Sequence, residues 1–172
     1  METWMITGVT GFLGPRVEVT LREKGEVEVL PMTREELNFT DEEQVKRVLG
    51  TLHPDVLVHA AAVSDTGACE RDPEGSWKVN VTGVEYLSKA CRENGTKLIF
   101  ASSDQVYTGS EVRTPHREDE ILTPANVYGR EKLEAERIVA NWCPEGVSLR
   151  LTWMYDLPGK LPVKPNFITN IR

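Results

Sequence analysis

The sequence predicts an α/β fold built on a doubly wound parallel sheet, and three observations carry that prediction. Short apolar runs alternate with helical patterns along the chain, the arrangement that stacks βαβ units around one sheet. A glycine-spaced turn, Gly8, Gly11 and Gly14, falls where the first run gives way to the first helix, as in Rossmann-type folds. The length, 172 residues with 40% hydrophobic and 27% charged side chains, suits one domain with one core.

The strand candidates are Trp4–Thr7, Val27–Leu30, Val56–His59, Leu98–Ala101 and Val147–Leu151. Each is four or five residues long, as strands buried on both faces tend to be. Between the first two, Leu13, Val17 and Leu21 mark one apolar helix face, with Pro15 in the first turn where a missing N–H costs nothing. The next helix opens on Thr40-Asp41-Glu42-Glu43, read as a capping box between Thr40 and Glu43, and Val45, Val48, Leu49 and Leu52 form its buried stripe. A third helix is expected over about Glu74 to Glu93, closed by Asn94-Gly95 as a left-handed cap. A fourth is expected from near Asn126 to about Asn141. Thr108 to Pro124, rich in proline and charge, reads as a long surface loop. After Leu151, Pro158, Gly159, Pro162 and Pro165 oppose regular structure, and a new helical pattern starts at Asn166.

A net charge of -7 argues against nucleic acid as a partner, because such binding draws on Lys and Arg facing phosphates. Cys69, Cys91 and Cys143 are odd in number and lack CxxC spacing, which fits a reducing cytoplasm rather than a disulfide framework. No apolar run approaches the length of a membrane span, and no leader pattern opens the chain. His53, His59 and His116 have no partners at metal-ligand spacing, so no metal is expected. His59 is expected to pack at a strand end, and Trp77, Trp142 and Trp153 to act as packing residues. Arg117 with Glu118, Asp119 and Glu120 reads as a solvated face.

In Thr7-Gly8-Val9-Thr10-Gly11-Phe12-Leu13-Gly14, the glycines serve a tight turn, close backbone approach to a pyrophosphate, and helix-on-strand packing. The free N–H groups of the helix start then face the phosphates. At the end of the second strand no carboxylate stands before Glu35, and Arg34 is placed to pair with a 2′-phosphate. That favours NADP, with NAD also open. Tyr128 and Lys132 lie four apart on a predicted helix and share a face. An ammonium beside a phenol lowers its pKa and fits it for acid-base work on a carbonyl. Ser102 and Ser103 follow the fourth strand at its C-terminal end, and Ser103 is placed to hydrogen-bond the same oxygen.

With these motifs in order, the sequence resembles the extended short-chain dehydrogenase/reductase family, most closely the dTDP-4-dehydrorhamnose reductase branch. The matching stretches are residues 7–14, 37–41, 54–62, 79–81, 102–107 and 128–132. The resemblance implies an NADPH-dependent reductase of a nucleotide-linked 4-keto-deoxy sugar, with Ser103, Tyr128 and Lys132 as the catalytic triad and Lys132 also on the nicotinamide ribose. It implies cofactor contacts from Gly8, Thr10, Gly11, Phe12, Leu13, Gly14, Arg34, Asn38, Phe39, Ala60, Ala61, Ala62, Asn80, Ser102, Tyr128 and Lys132, with Phe39 near the adenine. Pro115 and Glu118 match a loop pattern of the branch. Asn38 stands where the branch usually has Asp, Gln105 where it has Tyr, and Thr66-Gly67-Ala68 where it has Val-Asp-Lys. Such enzymes carry roughly another hundred residues for the sugar nucleotide. Residues 1–151 therefore read as the NAD(P)-binding Rossmann domain, and 152–172 as the start of an incomplete substrate-binding region. Two other readings stay open: an NAD-dependent sugar-nucleotide epimerase or dehydratase, and a non-catalytic regulatory subunit like that of methionine adenosyltransferase. Self-association into a homodimer is also left open.

Overall fold

Alternating side chains divide each buried strand between two cores, and this division sets the architecture. In the computed structural model, which describes residues 1–111 and 114–155, five strands form one parallel sheet in the order β2-β1-β3-β4-β5. They are β1 (Glu2–Thr7), β2 (Val27–Met32), β3 (Val56–His59), β4 (Lys97–Ser103) and β5 (Val147–Leu151). Each contains its sequence-predicted run and extends it by at most two residues at either end. Pro31 is tolerated inside β2 because β2 lies at the edge of this sheet, where a missing N–H breaks no ladder.

On one face, Ile6, Val29, Val56 and Val58 pack under Val17 and Leu21 of α1 (Gly14–Lys24). On the other, Met5, Leu57, Leu98 and Phe100 meet Val45 and Leu49 of α2 (Glu42–Leu52), Leu87 and Cys91 of α5 (Gly83–Asn94), and Ala135 and Val139 of α6 (Val127–Trp142). The strand order reverses direction between β1 and β3, and in open α/β sheets that crevice is where ligands bind.

Several local expectations are corrected. The capping box of α2 does not form: Asp41 is the cap and accepts from Gln44 N, while the Thr40 hydroxyl donates to Asn38 Oδ1 at 2.8 Å. Leu52, expected in the buried stripe, is exposed. The single third helix is two, α4 (Pro73–Trp77) and α5, joined by a π-type turn over Lys78–Thr82. Gly95 closes α5 at φ 70°. A short helix that the pattern missed, α3 (Thr66–Arg71), takes up Thr66-Gly67-Ala68, capped by Asp65. Of the three tryptophans expected to pack, Trp142 lies against the core, while Trp77 and Trp153 are exposed. Pro158, Gly159, Pro162, Pro165 and the helix start at Asn166 lie outside the described residues. Among the described residues no helix is long and apolar enough to cross a membrane, and no cluster of His, Cys, Asp or Glu is arranged to hold a metal.

Candidate active site

The glycine turn leaves β1 at its C-terminal end. Gly8 has φ 75°, open to glycine and strained for other residues, and a Cβ there would stand 2.6 Å from the carbonyl carbon of Ala60. Gly11 N donates to Gly8 O at 2.9 Å and closes the loop. A Cβ on Gly14 would overlap the Gly8 carbonyl, so α1 starts pressed against the turn. Phe12 lies under the Arg16 guanidinium, 3.7 Å from its ring centroid, and Leu13 sits at the cap position of α1.

Beside the turn, between the ends of β1, β2 and β3, is a cleft of about 230 Å³. Gly8, Thr10, Arg34, Asn38, Phe39, Ala61 and Ala62 all line it, seven of the residues expected from sequence. Val9, Thr33, Val63 and Val79 line it as well and were missed; the position of Val63, directly after Ala60 to Ala62, was the available signal. Phe39 is fixed edge-on to the His59 ring at 4.9 Å and against Gly83, where a Cβ would stand 2.6 Å from it. Asn38 holds Thr40 N and its hydroxyl through Oδ1. A tight glycine turn packed against the N-terminal end of α1, and an arginine lining the cleft, give it the shape and charge that a dinucleotide requires.

Across the crevice, β4 ends in Ser102-Ser103 and runs into a short 3₁₀ turn, Asp104–Tyr107. The helix α6 is seated on that turn from two sides. Asn126 caps it, accepting from Gly129 N at 2.6 Å and donating to Gln105 Oε1 at 2.9 Å. Gly129 leaves no room for a Cβ against the Gln105 carbonyl. Gln105 is thus a bracing residue for the helix, which gives its departure from the family pattern a physical role. This seating brings Tyr128 and Lys132 beside Ser103, all three buried.

The electrostatics of the trio differ from expectation. Burial pushes the Tyr128 phenol up to about 12, opposed by a hydrogen bond with Ser103. Lys132 Nζ donates to the Ala101 carbonyl at 2.8 Å, sits 4.5 Å from the Phe100 ring centroid, and is held down to about 8 by burial. A phenol kept neutral and a lysine near neutrality make a proton-donating arrangement. His59, packed at the end of β3 as expected, is neutral, held to about 3 by burial.

Two sequence-predicted residues turn elsewhere. The Ser102 hydroxyl donates to Glu136 at 2.5 Å, inside a cluster where Arg150 also grips Glu136 at 2.7 Å. Asn80 spends its side chain on Val63 N, Val63 O and Glu131, so it shapes the cleft only through Val63. The loop before α6 is tied in through Tyr107, stacked on His116 at 4.4 Å and hydrogen-bonded to Arg150. Arg150 also reaches the Glu118 carbonyl. Arg117 and Asp119 form an exposed pair, whereas Glu120 binds His116, so the solvated face is only part of that segment.

A parallel sheet with a glycine turn at its crevice, and a serine, tyrosine and lysine gathered beyond β4, define a Rossmann-type protein of the short-chain dehydrogenase/reductase class. Residues 2–171 match the model of the RmlD substrate-binding domain, and the chain belongs to that family. It is 34% identical over 169 residues to a dTDP-4-dehydrorhamnose reductase of Streptomyces griseus, covering 98% of this chain and 53% of the relative. A relative of the same description from Aggregatibacter actinomycetemcomitans is 31% identical, covering 95% and 55%. The structure superposes on dTDP-4-dehydrorhamnose reductase from Bacillus anthracis, solved with NADP, at a TM-score of 0.89 and 26% identity, over 99% of this chain and 59% of that one. Thermus thermophilus UDP-glucose 4-epimerase, solved with NAD, gives 0.75 at 27% identity, over 86% and 54%. The chain spans about half the length of the curated relatives it matches.

Proposed function

We propose that this chain is the cofactor-binding part of an NADPH-dependent reductase acting on a nucleotide-linked 4-keto-deoxy sugar, as its relatives' names suggest. The observation that supports the reading is that the Gly8–Gly14 turn and Ser103 leave β1 and β4 at the same, C-terminal edge of the parallel sheet, with Tyr128 and Lys132 on the helix packed against the end of β4. The bound nicotinamide nucleotide supplies the hydride. The backbone at Gly8, Gly11 and Gly14 holds the diphosphate, and Arg34 at the cleft rim meets a 2′-phosphate. Phe39 and Asn38 flank the adenosine side, and Ala60 to Ala62 form the floor. Tyr128, held protonated by burial, gives its phenolic proton to the sugar's carbonyl oxygen while Ser103 hydrogen-bonds the same atom. Lys132 would hold the nicotinamide ribose.

Residues 1–151 then form the cofactor domain and 152–172 begin the region that holds the sugar nucleotide. Cytoplasmic residence fits that substrate. The test uses the full-length protein with NADPH and a dTDP-4-keto-6-deoxy sugar, following NADPH absorbance. Tyr128→Phe abolishes turnover and leaves NADPH affinity within about twofold, since only a hydroxyl proton is removed. Unchanged turnover in that variant refutes the assignment.

A further inference from the structure

The residue before Lys132 is a carboxylate with no exposed surface. Both Glu131 oxygens accept hydrogen bonds, Oε1 from the Ser76 hydroxyl at 2.5 Å and Oε2 from the Asn80 amide at 2.7 Å. Both donors are neutral, so the hydrogen-bonding capacity of the carboxylate is engaged while its charge is unmatched by them. Taking an ion out of water is strongly unfavourable unless an opposite charge goes with it.

The charges around this region can be paired off. Glu136 is matched by Arg150 of β5, whose Nε and terminal nitrogen lie 2.7–3.2 Å from its carboxylate. His59 of β3 is neutral, and its Nδ1 is engaged by the Thr7 hydroxyl at 2.7 Å. Burial pushes the Cys69 thiol of α3 up and the Tyr128 phenol up, so both are uncharged at neutral pH. Asp104, in the turn after β4, is engaged by Thr152 and Ser103. Lys132 remains, 2% exposed, its Nζ on the Ala101 carbonyl and near the faces of the Phe100 and Tyr128 rings. Among the described residues, the one buried carboxylate and the one buried ammonium are Glu131 and Lys132, consecutive on one helix.

We propose that Glu131 is a positioning residue, the buried counter-charge that keeps Lys132 an ammonium in the candidate active site. Electrostatics agree: burial lowers Lys132, and Glu131 is the largest influence opposing that fall, ahead of Glu136. The use of that charge rests on the proposed function, but its existence does not, and the two fail separately because the test needs no nucleotide.

The test is an NMR pH titration of the chain labelled with ¹³C at the lysine ε-carbon, with the Lys132 signal assigned by its loss in Lys132→Met. Glu131→Gln keeps both hydrogen bonds, the new carbonyl accepting from Asn80 and the new amide donating to the Ser76 oxygen, and removes only the charge. The variant lowers the proton affinity of Lys132 by about tenfold or more. A purely structural carboxylate predicts no such change, and a change of less than about twofold overturns the proposal. If Glu131→Gln does not fold, Lys132→Met and the double variant Glu131→Gln/Lys132→Met are melted instead. The counter-charge account has the double variant melting above the single one, and equal or lower melting overturns it.

Discussion

Replacing Gly8 with alanine separates the two physical demands on the glycine turn, and a second glycine supplies the control. Gly8 has φ 75° and Gly25, at the end of α1, has φ 67°. A side chain in that region costs about 1–2 kcal/mol at either position. Around Gly25 a Cβ meets nothing within 4 Å, whereas at Gly8 it stands 2.6–2.7 Å from the Ala60 carbonyl and the Ala61 nitrogen. Those are backbone atoms of the segment leaving β3 and cannot rotate away, so overpacking adds about 1–3 kcal/mol. Gly25→Ala should therefore cost about 1–2 kcal/mol and Gly8→Ala about 2–5. At about 2–4 °C per kcal/mol for a domain of this size, Gly8→Ala lowers Tm by roughly 4–20 °C. Because the displaced segment forms the cleft floor, NADPH binding also weakens by at least about tenfold in Gly8→Ala and stays within about twofold in Gly25→Ala. Thermal melts and calorimetric titration of both variants check this. Equal losses of stability and affinity in the two would refute the argument that close approach to Ala60 is what requires Gly8.

Other groups give further tests. His59 is held to about 3 against 6.5 for the free side chain, so across that window the unfolded chain binds a proton that the folded chain refuses. Stability falls as pH drops below about 6.5, by about 1.4 kcal/mol per pH unit. Urea melts between about pH 6 and 5, above the carboxylate range, should show that slope in the wild type and lose it in His59→Gln. Arg150→Met leaves the nearly buried Glu136 without its partner and costs about 2–4 kcal/mol in urea melts, and adding Glu136→Gln recovers part of the loss. Arg34→Ala weakens NADPH about tenfold and NADH less than about twofold in paired titrations, since one charged contact to a phosphate is lost.

The parts of the molecule written as local runs were the parts that could be read. The five strands were found nearly to the residue, because β-branched runs bounded by turn formers have few other interpretations. The glycine turn and the Tyr128–Lys132 spacing were equally visible, since each is a contiguous motif. What escaped depends on chain segments meeting in space. The break in the long helix lies at Lys78–Thr82, with no Pro or Gly within it to announce it, and α3 is too short to show a period. Asp41 took the cap from Thr40 because the threonine hydroxyl was already held by Asn38, a competition that residue type alone does not decide. Glu131 meets Ser76 and Asn80 across 55 and 51 residues, so no spacing rule links them. The direction of the Tyr128 shift was misjudged for a related reason. Proximity to an ammonium was read from the sequence, while burial, which dominates, exists only in the fold.

The most direct measurement is calorimetric titration of the purified chain with NADPH and, separately, NADH. The account predicts saturable binding of one nucleotide per chain, tighter for NADPH and lost when Gly14 is replaced by valine in a variant that still folds. Absence of any heat or protection with either nucleotide, or binding that survives intact in Gly14→Val, would contradict the claim that this crevice is a dinucleotide site.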